Sequence, residues 1–198
     1  MKKVRKKLLI ITVLFFTASY AYAQEKWSLA LRPSANFSTQ DLGDATLNNG
    51  FGLEFTVSYN FIEHLGAYVG WGYNVFNSDN NSFAGTGDTD FNETGYSFGL
   101  QFIHPLGTSG KLSYLIKVGG VYNHIEVENN IIEAIIADSD RGLGWEVSTG
   151  LQLNLNDNWK LRPQLGYHSL LRNITINSMT TEVDLNYVTF GVGIAKIF

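Results

Sequence analysis

Apolar and polar residues alternate along most of the chain. In WSLALRPSANFS, Trp27, Leu29, Leu31, Pro33, Ala35 and Phe37 share one face, and Ser28, Ala30, Arg32, Ser34, Asn36 and Ser38 share the other. FGLEFTVSYNF sets Phe51, Leu53, Phe55, Val57, Tyr59 and Phe61 against Gly52, Glu54, Thr56, Ser58 and Asn60. LGAYVGWGYNVF repeats the arrangement from Leu65 to Phe76. Side chains of a strand point alternately to its two faces, so a period of two over about eleven residues predicts β-strands. Five more segments follow the same rule: Thr94–Ile103, Leu112–His124, Gly144–Leu155, Trp159–Leu170 and Tyr187–Phe198. Eight strands are predicted.

The links between them alternate in length. TQDLGDATLNNG is long and the link around IEH is short. NSDNNSFAGTGDTDFNE is long and HPLGTSGK is shorter. VENNIIEAIIADSDRG is long, NDN is short and RNITINSMTTEVD is long. The long links are rich in Asn, Asp, Gly, Ser and Thr, the residues of turns and loops. This pattern predicts an antiparallel up-and-down meander with long loops at one end and short turns at the other. The three-residue turn Asn156–Asn158 also sets a register. Leu155 opposes Trp159, which places Asn154 opposite Lys160, Gln152 opposite Arg162 and Glu146 opposite His168.

A closed sheet of this kind has two solutions. A soluble barrel buries its apolar set, whereas a membrane barrel turns it to lipid. Bulk favours the membrane. The interior of eight strands is just wide enough to be filled by side chains, and the apolar set is too large for it. The opposite set is small and polar, with Gly52, Gly66, Gly70, Gly72, Gly99, Gly119, Gly150, Gly166, Gly191 and Gly193. Aromatics also gather toward both ends of the strands. Trp27, Phe61, Trp159 and Phe198 lie at the short-turn ends, and Phe37, Phe51, Tyr73, Tyr96, Tyr122 and Trp145 lie toward the long loops. Such girdles mark the two faces of a bilayer. Strands of about eleven residues, tilted, span the hydrocarbon. Hydrocarbon offers no water to unpaired backbone groups, so the sheet must close on itself. The expected fold is all-β, an eight-stranded antiparallel up-and-down transmembrane β-barrel.

The first residues change the reading of the termini. MKKVRKKLLIITVLFFTASYAYA combines five basic residues, an apolar run from Leu8 to Phe16 and small residues at Ala21 and Ala23. This is the pattern of a secretory signal peptide, and the run is too short to cross a bilayer. The expected organisation is a signal peptide over 1–23 and a barrel over 24–198. Removing the signal leaves nine basic residues against 18 acidic ones. That balance argues against nucleic acid as a partner, because no basic patch remains to meet phosphates. There is no Cys, which excludes disulfides and a lipidated cysteine.

The inward set contains Arg32, Glu54, Lys117, Glu146, Lys160, Arg162 and His168. Buried charges must be paired, so a polar interior network is expected. Glu146 and His168 form its upper part, and Glu54 sits lower among Arg32, Lys117 and Arg162. Thirteen of the 18 acids fall on or beside the long links, among them Glu93, Glu126, Glu128 and Asp138, facing Arg141 and Arg172. The four His residues show no paired ligand spacing, and neither a metal nor a cofactor is expected. His168 and Ser169 are adjacent in the chain and therefore point to opposite faces of a strand, so no catalytic pair is expected from them. NNIIEAIIAD suggests a short loop helix with Ile131, Ile132, Ile135 and Ile136 on one face, packing on the rim or touching a partner.

The chain ends in FGVGIAKIF. Together with the signal pattern, the eight alternating strands, the alternating links and the absence of Cys, this ending resembles the small outer-membrane β-barrels of the OmpA/OmpX type, a porin-family architecture. The likeness covers essentially the whole chain beyond the signal. It implies a location in the bacterial outer membrane, short turns in the periplasm and long loops outside the cell. It also implies that Phe190, Val192, Ile194 and Phe198 form the signal read by the barrel-assembly machinery. Lys196 departs from that pattern. The implied partners are outer-membrane lipids, lipopolysaccharide and the assembly machinery, with the barrel a monomer. The expected role is non-enzymatic, structural or interactive through four loops. A small porin passing ions or small solutes is the alternative, and a lipid A-modifying enzyme comes third.

Overall fold

The computed structural model describes residues 26–41, 47–78, 89–129, 134–176 and 179–198. The proposed signal, 1–23, lies outside them, as do Ile131 and Ile132. Among the described residues the regular structure is entirely strand: β1 (Trp27–Ser38), β2 (Gly50–Asn60), β3 (Leu65–Asn77), β4 (Thr89–Pro105), β5 (Leu112–Asn129), β6 (Ala134–Asp138), β7 (Gly142–Asn154), β8 (Trp159–Ile176) and β9 (Met179–Ile197). All the strands but β6 form the wall of a barrel, each antiparallel to its neighbours. The wall closes where β1 meets β9, with Ser28 facing Ile197 and Ser38 facing Tyr187. The eight-stranded barrel is as expected, and β6 is an addition to it.

The short turns lie where the spacing put them, at residues 61–64, 106–111 and 155–158. Gly107 and Gly110, with φ of 74° and 64°, allow the middle one to reverse. In the last, Asn156 Oδ1 accepts the backbone N–H groups of Asn158 and Trp159 at 3.0 and 2.9 Å. This turn fixes the expected register, since Glu146 faces His168 and Asn154 faces Lys160.

The long links differ from expectation. Much of what reads as loop is strand. β4 has 17 residues, β5 and β8 have 18 each, and β9 has 19. The β8–β9 hairpin pairs without a break up to Ile176 facing Met179. The segment expected to form an apolar helix is partly β6, which pairs with the upper part of β5 through Glu126–Asp138 and Val127–Ala137. Ile135 is exposed and Ile136 packs against the interior cluster, so the two do not share a face. Extended backbone wins here because β5 continues beyond its pairing with β7 and offers unpaired hydrogen-bonding groups, which β6 satisfies.

The extra length has a consistent chemistry. Through the lower part of the wall, large apolar side chains such as Val69, Phe98, Leu100, Val118 and Leu165 point outward and stay exposed. Above Tyr96 and Tyr122 the arrangement inverts. The inward positions Phe76, Phe91, Ile125, Val127, Leu170, Ile174, Val183 and Leu185 become apolar and fully buried. On the same strands the outward positions become His124, Glu126, Glu128, Asn173, Glu182 and Asp184. The expectation of a small, polar interior therefore holds for the lower barrel only. An apolar plug fills the long-loop end.

Candidate functional site in the barrel interior

Below the plug, polar residues cross the barrel in a connected layer. Arg32 and Glu54 face each other on β1 and β2. Arg32 Nη2 donates to Glu54 Oε2 at 2.6 Å, and Lys117 Nζ donates to Glu54 Oε1 at 3.0 Å. Thr56 Oγ1 adds a third donor at 2.6 Å. A carboxylate held by two cations and a hydroxyl meets the condition for burying charge, in which each ion is paired and hydrogen-bonded. Lys117 also lies over the ring of Tyr68, 4.1 Å from its centroid.

Tyr68 carries the layer upward. Its hydroxyl donates to Glu146 Oε1 at 2.5 Å. The side chain reaches across because Gly99 and Gly119, which face each other on β4 and β5, leave the space empty. A Cβ on Gly119 would stand 2.3 Å from the Tyr68 oxygen and 2.3 Å from the carbonyl oxygen of Phe98. Glu146 and His168 are adjacent as expected, with His168 Nδ1 3.6 Å from Glu146 Oε2. That is an electrostatic contact rather than a hydrogen bond. The ring of His168 lies flat on Tyr187, 4.6 Å between centroids and 5° from parallel.

Tyr187 leads to a third carboxylate. Its hydroxyl donates to Glu93 Oε2 at 2.7 Å, and Asn74 Nδ2 donates to the same oxygen at 2.8 Å. Asn123 donates to Glu93 Oε1 and accepts from Arg172. Arg172 also donates to the carbonyl oxygens of Leu171 and Gly142, both at 2.6 Å. Glu93 and Arg172 are therefore buried inside the barrel, not outside in loops as the sequence suggests. Both lie on strand extensions beside the buried apolar cluster.

The other expected members separate from the network. Arg162 does not reach Glu54. Its Nε donates to Gln152 Oε1 at 3.0 Å, the partner that the turn register assigns to it. Lys160 Nζ turns down to the carbonyl oxygens of Asn156 and Asp157 at 3.1 and 3.0 Å and closes the short turn. His168 is buried, whereas Ser169, facing Trp145, is on the other side of the wall. Tyr68, Tyr187, Glu93, Asn123 and Arg172 were missed. Parity places Tyr68 inside, but its partner is 78 residues away, and no local spacing reveals that.

The layer leaves little free volume. A void of about 30 Å³ borders Arg32, Ser97, Glu146, His168 and Tyr187. Of the residues that border it, Arg32 Nη1, Ser97 Oγ and His168 Nδ1 have no hydrogen-bond partner within the protein, and it has the size and polarity for one water. A second void of about 10 Å³ lies beside Lys117 and Arg162. At the short-turn end a vestibule of about 350 Å³ opens between His64, Gln152, Lys160 and Arg162. His64 and His104, far apart in the chain, stand with ring centroids 4.6 Å apart at that end.

Phe190, Val192, Ile194 and Phe198 all point outward and are exposed. Lys196 shares their face, and its ammonium lies 4.9 Å from the Phe198 ring centroid and 5.8 Å from that of Trp159. A cation over two rings explains how the departure from the apolar pattern is accommodated.

Residues 8–198 match the family of the outer membrane protein beta-barrel domain. The chain belongs to this family. Its place is therefore the bacterial outer membrane. No curated protein matches the sequence. Solved structures share the fold at low identity. Neisserial surface protein A is 15% identical with a TM-score of 0.62, the match covering 87% of this chain and 97% of that one. OprG from Pseudomonas aeruginosa is 14% identical with a TM-score of 0.64, covering 87% and 96%. The E. coli outer membrane protein W is 15% identical with a TM-score of 0.58, covering 87% and 97%. These likenesses concern the architecture of small outer-membrane barrels.

Proposed function

We propose that this outer-membrane barrel is a non-enzymatic, non-conducting protein that acts through its long-loop end. The observation that carries this reading is the double seal of the interior. The Arg32–Glu54–Lys117 layer spans the lower barrel, and the plug around Phe76, Phe91, Ile125 and Leu185 closes the long-loop end. An ion entering from that end would have to cross the apolar cluster, pass the hydrogen-bonded Glu93–Asn123–Arg172 chain and then break ion pairs. Lipid and lipopolysaccharide are its partners at the wall, and the barrel-assembly machinery reads the last strand. The extended strands hold the loops outside the cell, above the headgroups, where an extracellular partner meets them.

A narrow porin is the second reading, favoured by the open vestibule and the two polar voids above it. Planar-bilayer recording separates the two. The purified barrel is expected to give no stable single-channel current. Stepwise conductance that changes in Glu54→Ala would replace the first reading with the second. Altered lipid A in cells overproducing the protein would replace both with an enzyme.

A further inference from the structure

Sequence spacing shows no pair of metal ligands, but the fold assembles a set from two strands. His124 and Glu126 are two residues apart on β5 and share its outward face. Asp138 lies on β6, directly across from Glu126. Donor atoms of the three side chains all lie within 4.8 Å of one another. His124 Nδ1 and Asp138 Oδ1 are already 2.8 Å apart, within hydrogen-bond distance. Like charges placed directly opposite on neighbouring strands repel, yet this sheet does it twice. Glu126 faces Asp138, and one step along, Asp90 faces Glu128. Among the described residues no Lys or Arg makes an ion pair with Glu126, Glu128 or Asp138.

We infer that His124, Glu126 and Asp138 bind a divalent cation of the Zn2+ type on the outer face of the barrel, just above the aromatic girdle. One imidazole and two carboxylates suit such a borderline cation better than Mg2+, which prefers all-oxygen shells and retains its water. Ligand atoms around one tetrahedral ion stand roughly 3.5 Å apart, a spacing that rotation of the Glu126 side chain reaches. The ion takes the His124 Nδ1 position that now meets Asp138, and the neutral ring carries its single proton on Nε2. It also neutralises the opposed carboxylates and fastens β6 to β5. A fourth position stays open to water or to a lipid phosphate, since Tyr96 and Tyr122 face each other one step below.

The test is Zn2+ titration by calorimetry of the full folded barrel in detergent, without a polyhistidine tag. His64→Ala and His104→Ala are introduced first, because that pair is a competing site. One Zn2+ per chain is expected. Loss of even an outer partner of a metal site costs about 10–100-fold in affinity, so His124→Ala is expected to weaken binding at least about 100-fold. Asp138→Asn and Glu126→Gln weaken it, Glu128→Gln does not, and excess Mg2+ does not displace Zn2+. Heat-modifiable gel mobility confirms that each variant is folded. Zn2+ binding unchanged in His124→Ala and Asp138→Asn, abolished by the His64/His104 changes, or displaced equally by Mg2+ would overturn the site.

Discussion

The lower and upper halves of the barrel are built from the same strands with opposite chemistry. In β8, Leu165 and Asn173 point outward, one apolar and one polar. Gln164 and Ile174 point inward, one polar and one apolar. In β5 and β9 the change falls between Val118 and Glu126, and between Phe190 and Glu182. Backbone parity does not change along these strands, so the solvent does. Where lipid surrounds the wall, apolar groups go out and a paired polar layer fills the inside. Where water surrounds it, the barrel buries its apolar side chains like a soluble one. The point at which the hydrophobic phase shifts is the upper edge of the membrane.

The largest effect is expected from breaking the lower interior. Glu54→Ala leaves Arg32 and Lys117 buried without their anion, and urea unfolding in lipid vesicles should show a loss of about 3–5 kcal/mol. In the upper interior, Leu170→Ala removes apolar packing instead and should cost about 2–5 kcal/mol. The lower loss should shrink when Lys117→Met is added. The upper one should not respond, since it contains no charge to relieve.

The outer face gives a sharper contrast within one strand. Leu165→Arg places a charge in hydrocarbon and should cost about 2–4 kcal/mol. Asn173→Arg, on the same face eight residues along, should change stability by less than about 0.5 kcal/mol, because water receives it and Glu182 faces it. Equal losses at the two sites would abolish the distinction between the halves. Gly119→Ala should cost about 1–3 kcal/mol through crowding against Tyr68 and the Phe98 carbonyl. Lys196→Ala, at the rim, should cost no more than about 1 kcal/mol, the worth of a cation over an aromatic ring.

The architecture was legible wherever period two ran through membrane-length segments and short turns set the register. The Glu146–His168 and Gln152–Arg162 neighbours followed from one three-residue turn. The plug was hidden by composition. Ile125, Val127, Val183 and Leu185 continue the period of their strands, but they are interspersed with His, Glu, Asp and Asn, which read as loop. The alternation had shifted phase rather than stopped. Glu54 was correctly placed with Arg32 and Lys117, but Arg162 was not its partner, because facing pairs on one turn say nothing about which side chains meet across the barrel. Tyr68 and Tyr187 join the three carboxylates through contacts between distant strands, and only the closed barrel supplies those.

The absence of native cysteine allows the central claim to be tested by site-directed spin labelling. Labels at Leu165→Cys, Tyr167→Cys, Ser169→Cys, Leu171→Cys and Asn173→Cys trace the outward face of β8 through the proposed membrane edge. Collision with oxygen, which partitions into lipid, is expected to dominate at positions 165 and 167. Collision with a water-soluble nickel chelate should dominate at 173, with the crossover between them. Oxygen dominance persisting through Asn173, or nickel access at Leu165, would contradict the account.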